Sequence, residues 1–277
     1  MKQVALITGA SSGIGKETAR LFLDDDFTVY AAARRLEKMD DIKQLGVNTL
    51  KMDVSDDNSM VQGVDKILST ERRIDVLINN AGYGSYGSLE DTPMTEAKYQ
   101  LEVNLFGLAR LCQLVIPTMR RQQSGKILNV TSIGGKIAEP HGSWYHASKF
   151  AVEGLSDCLR LELKQFGIDV IVIEPGSIQT QWSTIARENL ANVSGKTIYK
   201  DLVAKHLKML KLADNFGSKP IVIANVIHKA IHAQHPKARY AAGRGATTLL
   251  SIRKILSDSA FDKMILVPLN KVRSLNT

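Results

Sequence analysis

Seven short β-type runs, several of them nearly all apolar and separated by helix-length stretches, restrict this sequence more than any other feature. The runs fall at 4–8, 28–33, 49–54, 75–79, 126–131, 169–174 and 238–242, and Val76-Leu77-Ile78 and Val170-Ile171-Val172-Ile173 are apolar throughout. A strand covered on one face alternates apolar with polar residues. One that is apolar at every position must be covered on both faces, as parallel strands are. Parallel neighbours need a crossover, and the intervening segments, such as 14–25 and 149–166, have helical character, the latter stopped by Gly167. The pattern predicts an α/β fold, a doubly wound parallel sheet of about seven strands with helices on both faces. No repeat at a fixed period and no Pro/Ser-rich linker interrupts it, so a single domain over 1–277 is expected.

Two regions break the rhythm. Residues 177–219 hold no clear strand, only a basic helical segment at 199–211 with Val203, Leu207 and Leu210 on one face. A long irregular stretch in a compact domain commonly serves as a substrate-binding lid. Residues 246–277 read as a helical C-terminal extension, with Leu249, Ile252, Leu256, Phe261, Met264 and Ile265 in amphipathic spacing.

A chain of 277 residues buries enough surface to fold without a disulfide or a metal. Cys112 and Cys158 stand apart in apolar helical contexts and are expected as buried thiols, a usage that fits a reducing cytoplasm. No apolar run approaches ~18 residues, so no transmembrane helix is expected. A strand that begins at residue 2 argues against a signal peptide, and a cytoplasmic location is expected. The formal net charge of +8 admits an anionic partner. The basic residues are scattered and match no nucleic-acid module, so nucleic acid is not expected as a partner.

The first run leads into Thr8-Gly9-Ala10-Ser11-Ser12-Gly13-Ile14-Gly15, and a helix follows. Glycines let the chain turn tightly and let backbone approach a pyrophosphate, which the helix N-terminus then meets with free N–H groups. The spacing is GxxxGxG rather than GxGxxG. A plain strand-to-helix turn would use the same residues, but the position directly after the first strand favours phosphate contacts from Gly9, Ser11, Ser12, Gly13, Ile14 and Gly15. The second run ends at Ala33, followed by Arg34 and Arg35. An acidic residue here would bind the ribose hydroxyls of the adenosine half. A guanidinium instead pairs with a 2′-phosphate, which favours NADP(H) over NAD(H). The competing reading is a solvated arginine pair at a strand end. Asp53, at the end of the third run and next to Val54, could accept from an adenine amino group, and a turn or cap aspartate would look the same.

Ser132, Tyr145 and Lys149 form the strongest chemical cluster. Tyr145 and Lys149 are four apart at the opening of a helical stretch, which places them on one face. An ammonium beside a phenol lowers the phenol pKa from about 10 and fits it for general acid–base work. Ser132, just past a strand end, can hydrogen-bond a carbonyl oxygen or a developing alkoxide. Four features carry less. His141 is expected on a surface loop. His228, His232 and His235 sit near one another without a carboxylate or cysteine to complete a ligand set, so no metal site is expected. Trp144 and Trp182 fit core packing and substrate lining equally.

TGASSGIG, Asn79-Asn80-Ala81-Gly82, Asn104, Ser132, Tyr145-x-x-x-Lys149 and Pro175-Gly176 occur in this order. In that combination the chain resembles the short-chain dehydrogenases/reductases over about residues 2 to 245. The hydroxysteroid, retinol and acyl-dihydroxyacetone-phosphate reductase branches are the most similar. The resemblance implies a Rossmann-type fold and NADP(H)-dependent interconversion of a carbonyl and a secondary alcohol. It implies Tyr145 as catalytic acid/base and Ser132 orienting the carbonyl. It assigns Lys149 to the nicotinamide ribose and to lowering the tyrosine pKa, and Asn104 to a water on a proton relay. It also implies that Asn80, Ala81 and Gly82 line the cofactor cleft, with Ile178 and Thr180, after Pro175-Gly176, at the nicotinamide carboxamide. Relatives are commonly homodimers or homotetramers. Two other functions compete. One is a catalytically idle NADP(H)-binding regulator, against which the intact Ser132, Tyr145 and Lys149 argue. The other is a membrane-surface lipid carbonyl reductase, drawn from the basic segment at 199–211 and the apolar tail. Packing of both segments over the active site or a subunit interface is the favoured alternative to membrane contact.

Overall fold

The computed structural model describes residues 2–25 and 27–271. Its strands are β1 (Gln3–Thr8), β2 (Phe27–Ala33), β3 (Asn48–Lys51), β4 (Val76–Asn79), β5 (Gly125–Val130), β6 (Ile168–Pro175) and β7 (Arg239–Ala242). All pair in parallel in one sheet, ordered β3-β2-β1-β4-β5-β6-β7. Each strand falls on its apolar run. The third is cut short, because β3 stops at Lys51 and Asp53 lies in the turn beyond it.

The crossovers begin with α1 (Gly13–Leu21), α2 (Asp40–Gln44), α3 (Asp57–Glu71), α4 (Met94–Leu101), α5 (Gly107–Gln122) and α6 (Ser143–Leu163). They continue with α7 (Gln181–Ser194), α8 (Lys200–Asn215), α9 (Pro220–His232), α10 (Ala246–Ile255) and α11 (Asp258–Lys271). The two-residue period of a strand divides the core between the sheet faces. Val4 and Leu6 pack with Met60, Val64 and Leu111 under α3, α5 and α6. Ala5 and Ile7 pack on the other face with Ala19, Ile42 and Ile227 from α1, α2 and α9. The expected stop at Gly167 is present, with φ +68° after a 3₁₀ turn that ends α6.

Residues 177–219 are not irregular, which corrects the reading of the sequence. They form α7 and α8, joined to Tyr86 and Tyr145 through Ala186, Leu190 and Val203. The polar make-up of Gln181–Ser194 hid its helical period, because only a narrow stripe of α7 is buried. Helix α11 packs against α8 and buries Phe261 and Leu269, and residues 272–277 of the expected extension lie outside the described residues. Cys112 is buried as expected, and burial pushes its thiol up to about 12. Cys158 is exposed, a second correction, on the outer side of α6 opposite Val152, Ser156 and Leu163. Among the described residues no helix is long and apolar enough to cross a membrane.

Position 107, where α5 continues from a π-helical turn, takes glycine because a backbone passes directly over it. A Cβ on Gly107 would lie 2.0 Å from the Val54 carbonyl oxygen. Alanine is normally favoured over glycine in a helix by ~1 kcal/mol. Overpacking against backbone reverses that sign, so Gly107→Ala is expected to destabilise the fold by about 1–3 kcal/mol in denaturant melts. An equally stable or more stable variant would contradict the close approach.

Candidate active site

The strand order reverses between β1 and β4, so the loops after these two strands part and leave a crevice at the C-terminal edge of the sheet. The glycine turn occupies it. Gly9 and Gly13 have φ of +67° and +57°, and a Cβ on Gly15 would lie 2.5 Å from Asn80 Nδ2. Thr8 clasps this turn to the end of β4. Its Oγ1 accepts from the Asn80 and Ala81 amides at 3.1 Å each, and Asn80 Nδ2 donates to the Thr8 carbonyl at 3.0 Å. Ser12 caps α1 with no side-chain hydrogen bond, and the first turn holds no acidic residue. The amides of that turn are therefore available to an anion. A cavity of about 860 Å³ opens here, lined by Ser11, Ser12, Gly13, Lys16, Gln179 and Thr180 among others. Thr180 caps α7 and stands against Gly13. Pro175, Gly176 and Ile178 carry the chain there from β6, and Ile178 packs into the core. The residues fit a dinucleotide: backbone cradles where side chains would collide, and a helix N-terminus that no acid occupies.

A second cavity, of about 450 Å³, lies at the ends of β2 and β3, lined by Arg34, Lys51, Asp53, Asp56, Asn58, Ser59 and Gln62. Ala33 is buried, and Arg34 and Arg35 are exposed. Arg34 donates to the Tyr99 hydroxyl at 2.8 Å and so is held at the cavity rim, whereas Arg35 does not line the cavity. Asp53 is a turn aspartate as well as a cavity wall. Its Oδ1 accepts from the Ser55 amide at 3.0 Å and from the Ser55 hydroxyl at 2.7 Å. Val54 beside it is buried.

Ser132, Tyr145 and Lys149 come together between the end of β5 and the start of α6. Ser132 Oγ accepts from the Gly134 amide at 3.0 Å and hydrogen-bonds Tyr145. His146 fixes the loop that carries the serine. Its Nδ1 donates to the Gly134 carbonyl at 2.9 Å, and its Nε2 accepts from the Glu139 amide at 3.3 Å. Because α6 starts at Ser143, Tyr145 and Lys149 lie one helical turn apart, and each is 7% exposed. Burial pushes the Tyr145 phenol up to about 12; the Ser132 hydrogen bond opposes this, and the Glu139 charge adds to it. The expected lowering by lysine does not occur. Lys149 Nζ donates to the Val130 carbonyl at 3.0 Å and lies 6.0 Å from the centre of the tyrosine ring. Burial brings that ammonium down to about 8, against the charge of Glu153. Asn104 sits in a π-helical turn, Glu102–Phe106, between α4 and α5. Its Oδ1 accepts from the Tyr83 amide at 3.0 Å, and its Nδ2 donates to the Tyr83 carbonyl at 3.0 Å and to Ser148 Oγ at 3.1 Å. Gly82 leaves this corner open: a Cβ there would lie 3.1 Å from Asn104 Oδ1 and 3.7 Å from Lys149 Nζ.

Aromatic rings cover the cluster, which is why Tyr145 lines neither cavity. Its ring meets Trp182 at 5.0 Å and Tyr86 at 5.8 Å. Val203, Leu207 and Leu210 of α8 pack on the same cluster, so the apolar stripe of the basic segment faces inward. Trp144 has no ring contact among the described residues, and its buried Nε1 lacks a hydrogen-bond partner there. His141, expected on the surface, is buried. Helix α8 closes over its loop and supplies a partner: His141 Nδ1 lies 3.0 Å from His206 Nδ1, with the rings stacked. Burial and the charge of His206 bring His141 down to about 4. Below the pair, the Tyr86 hydroxyl donates to Glu139 at 2.7 Å. Burial favours a neutral Glu139, but hydrogen bonding and charge from His206, with help from His146 and Tyr86, hold it at about 2.

A family model described as short chain dehydrogenase matches residues 3–191. The chain belongs to the short-chain dehydrogenases. It is 37% identical to the probable short-chain type dehydrogenase/reductase VdlC of Helicobacter pylori, over 98% of this chain and 99% of that one. It is also 37% identical to the 3-ketodihydrosphingosine reductase of Bacteroides thetaiotaomicron, over 87% and 88%. A short-chain dehydrogenase from Streptomyces avermitilis shares the fold at a TM-score of 0.81 and 28% identity, with 99% of each chain covered. Solved structures of the same fold hold NADP or NAD. As a short-chain dehydrogenase this protein is an oxidoreductase that works with a nicotinamide dinucleotide.

Several residues of this short-chain dehydrogenase escaped the sequence reading. Lys16 and Lys38 line the larger cavity, and Tyr86, Glu139 and His206 build the cover. Only Lys16 left a signal, one turn into the helix after the glycines. The reading that no carboxylate joins the histidines is corrected too, because Asp25 reaches His228 and His232. Lys149 has a measurable consequence for stability. Its ammonium is about 8 when folded against 10.5 in the free side chain, so the unfolded chain binds more protons between these pH values and stability rises with pH across them. Relative to Lys149→Met, the wild type is expected to gain roughly 3 kcal/mol between pH 7 and about 11. A pH-independent difference in chemical denaturation would contradict the burial of a charged lysine.

Proposed function

We propose that this short-chain dehydrogenase is an NADP(H)-dependent enzyme that interconverts a carbonyl and a secondary alcohol on an apolar substrate. The convergence of Ser132, Tyr145 and Lys149 at one buried corner of the cofactor crevice carries the reading. The bound nicotinamide supplies or accepts the hydride at the substrate carbon. Tyr145, protonated throughout the neutral range, donates its hydroxyl proton to the substrate oxygen. A secondary alkoxide is a far stronger base than a phenolate, so the transfer runs downhill even from a phenol at about 12. Ser132 holds the same oxygen. Lys149 and Asn104, on either side of Gly82, hold the cofactor ribose and the path by which the phenol regains its proton. Residues 177–219, as α7 and α8, form the lid. The aromatic cover of Tyr86 and Trp182, and exposed Leu212 and Phe216 at the end of α8, favour an apolar ketone. A relative named for a 3-keto sphingoid base points the same way. An idle regulator would not require all three of these side chains to be held in contact.

Tyr145→Phe keeps the packed ring and removes the proton. Its turnover with NADPH and an apolar ketone is expected to fall 10²–10⁴-fold, with NADPH affinity retained in a fluorescence titration. Turnover within twofold of the wild type would overturn the assignment.

The preference for NADP(H) rests on Arg34 at the rim of the smaller cavity and on the absence of a carboxylate at Ala33. A charge-assisted hydrogen bond to the 2′-phosphate contributes roughly 1.5–3 kcal/mol, a 10- to 100-fold preference. Arg34→Ala is expected to weaken NADPH by that factor and leave NADH almost unchanged. Equal binding of the two cofactors by the wild type would make Arg34 a solvated surface charge.

A further inference from the structure

Asp25, His228 and His232 meet at the edge of the sheet opposite the crevice. The two histidines are four apart in the last turn of α9, and Asp25 follows α1, which packs alongside α9. Asp25 Oδ2 lies 2.8 Å from His228 Nε2 and 3.7 Å from His232 Nε2, and one ligand atom from each residue falls within 4.8 Å of the other two. Neighbouring donors around a zinc ion with bonds of ~2.0–2.2 Å stand roughly 3–3.5 Å apart, so small side-chain shifts bring all three to one centre.

Two observations separate this arrangement from an ordinary ion pair. His232 Nδ1 lies 2.9 Å from the His228 carbonyl oxygen. A carbonyl only accepts, so Nδ1 donates to it, which leaves Nε2 as the ring nitrogen that faces the carboxylate. An Nδ1–H held by a backbone carbonyl is the orientation in which a metal-binding imidazole is commonly fixed. Asp25 Oδ2 is shut off from water and has no hydrogen-bond partner among the described residues, although His228 Nε2 is so near. The contact therefore lies off the direction in which the ring's N–H would donate. A buried carboxylate oxygen without a hydrogen-bond donor is unfavourable unless a positive charge lies against it. Two core phenylalanines set the rings. Phe22 stands edge-on to His228 and Phe27 edge-on to His232, each at 6.1 Å and 87°. The C-terminal end of α1, just before Asp25, adds negative potential.

We propose that Asp25, His228 and His232 bind one divalent transition-metal ion of the zinc type, with its remaining position open to water. Imidazole and carboxylate donors suit zinc, nickel or copper rather than magnesium or calcium. The ion clamps the end of α9 to the turn between α1 and β2. The other end of α9 begins at Pro220, on the wall of the larger cavity, so the clamp steadies a helix that borders the crevice while staying out of the chemistry. This inference is independent of the proposed reaction.

The test uses the full chain without an added histidine tag, stripped with a chelator and titrated with Zn²⁺ in a calorimeter. One ion per chain is expected, with micromolar or tighter affinity. The melting temperature should rise by several degrees at a hundredfold excess over the dissociation constant, reversed by chelator. His228→Gln, His232→Gln and Asp25→Asn should each weaken binding at least tenfold, while His235→Gln and magnesium in place of zinc serve as controls. If a variant melts lower without metal, its zinc affinity below its own transition decides. Absence of binding, wild-type affinity in any one of His228→Gln, His232→Gln and Asp25→Asn, or an equal effect of magnesium would overturn the site.

Discussion

The clasp between Thr8 and the Asn80-Ala81 backbone is the joint on which the molecule depends. It closes at the one place where the strand order reverses, and it fixes two loops that would otherwise diverge. On one side it holds the glycine turn against the start of α1. On the other it delivers Gly82 to Asn104 and Lys149. Cofactor cradle and proton-handling groups therefore share one rigid reference, although they come from opposite halves of the sheet.

A layer of buried polar side chains beneath the site keeps that geometry. Asn79 donates to Asn129, which donates to Ser156, tying β4, β5 and α6 at one level. Glu153, one turn after Lys149, accepts from Thr131 at 2.7 Å and from Arg239 at 2.9 Å, and pairs with Lys136 at 3.0 Å. A buried carboxylate so surrounded is costly to leave unmade and stiff once made. It draws β5, β7 and α6 together directly below the lysine. The short-chain dehydrogenase fold thus reaches a buried ammonium and a buried phenol by satisfying the charges around them rather than by exposing them.

Much of this was legible in the chain. Continuous apolar runs marked central strands such as β4 and β6, because burial on both faces leaves no room for alternation, whereas the edge strands β3 and β7 are only partly buried. Tyr145 and Lys149 were legible because a four-residue spacing has one meaning on a helix. Other features were not. Residues 181–194 looked irregular because α7 buries only a narrow stripe. His141 looked exposed because its partner, His206, lies far along the sequence on a helix that folds back over it. The phenol stands at about 12 because it is buried, and the Lys149 ammonium, which hydrogen-bonds Val130, does not offset that burial, a geometry that spacing alone does not specify. Asp25 could not be joined to His228 and His232 without knowing that α1 and α9 are neighbours.

The central claim is that this crevice carries hydride between a nicotinamide and a substrate carbonyl carbon, and isotope transfer tests it most directly. NADPH carrying deuterium at the transferable C4 position, incubated with an apolar ketone and the enzyme, is predicted to give an alcohol with one deuterium on the carbinol carbon. The hydroxyl proton should come from solvent by way of Tyr145. An alcohol without deuterium on that carbon, or cofactor that is never consumed across a panel of apolar ketones, would contradict the account.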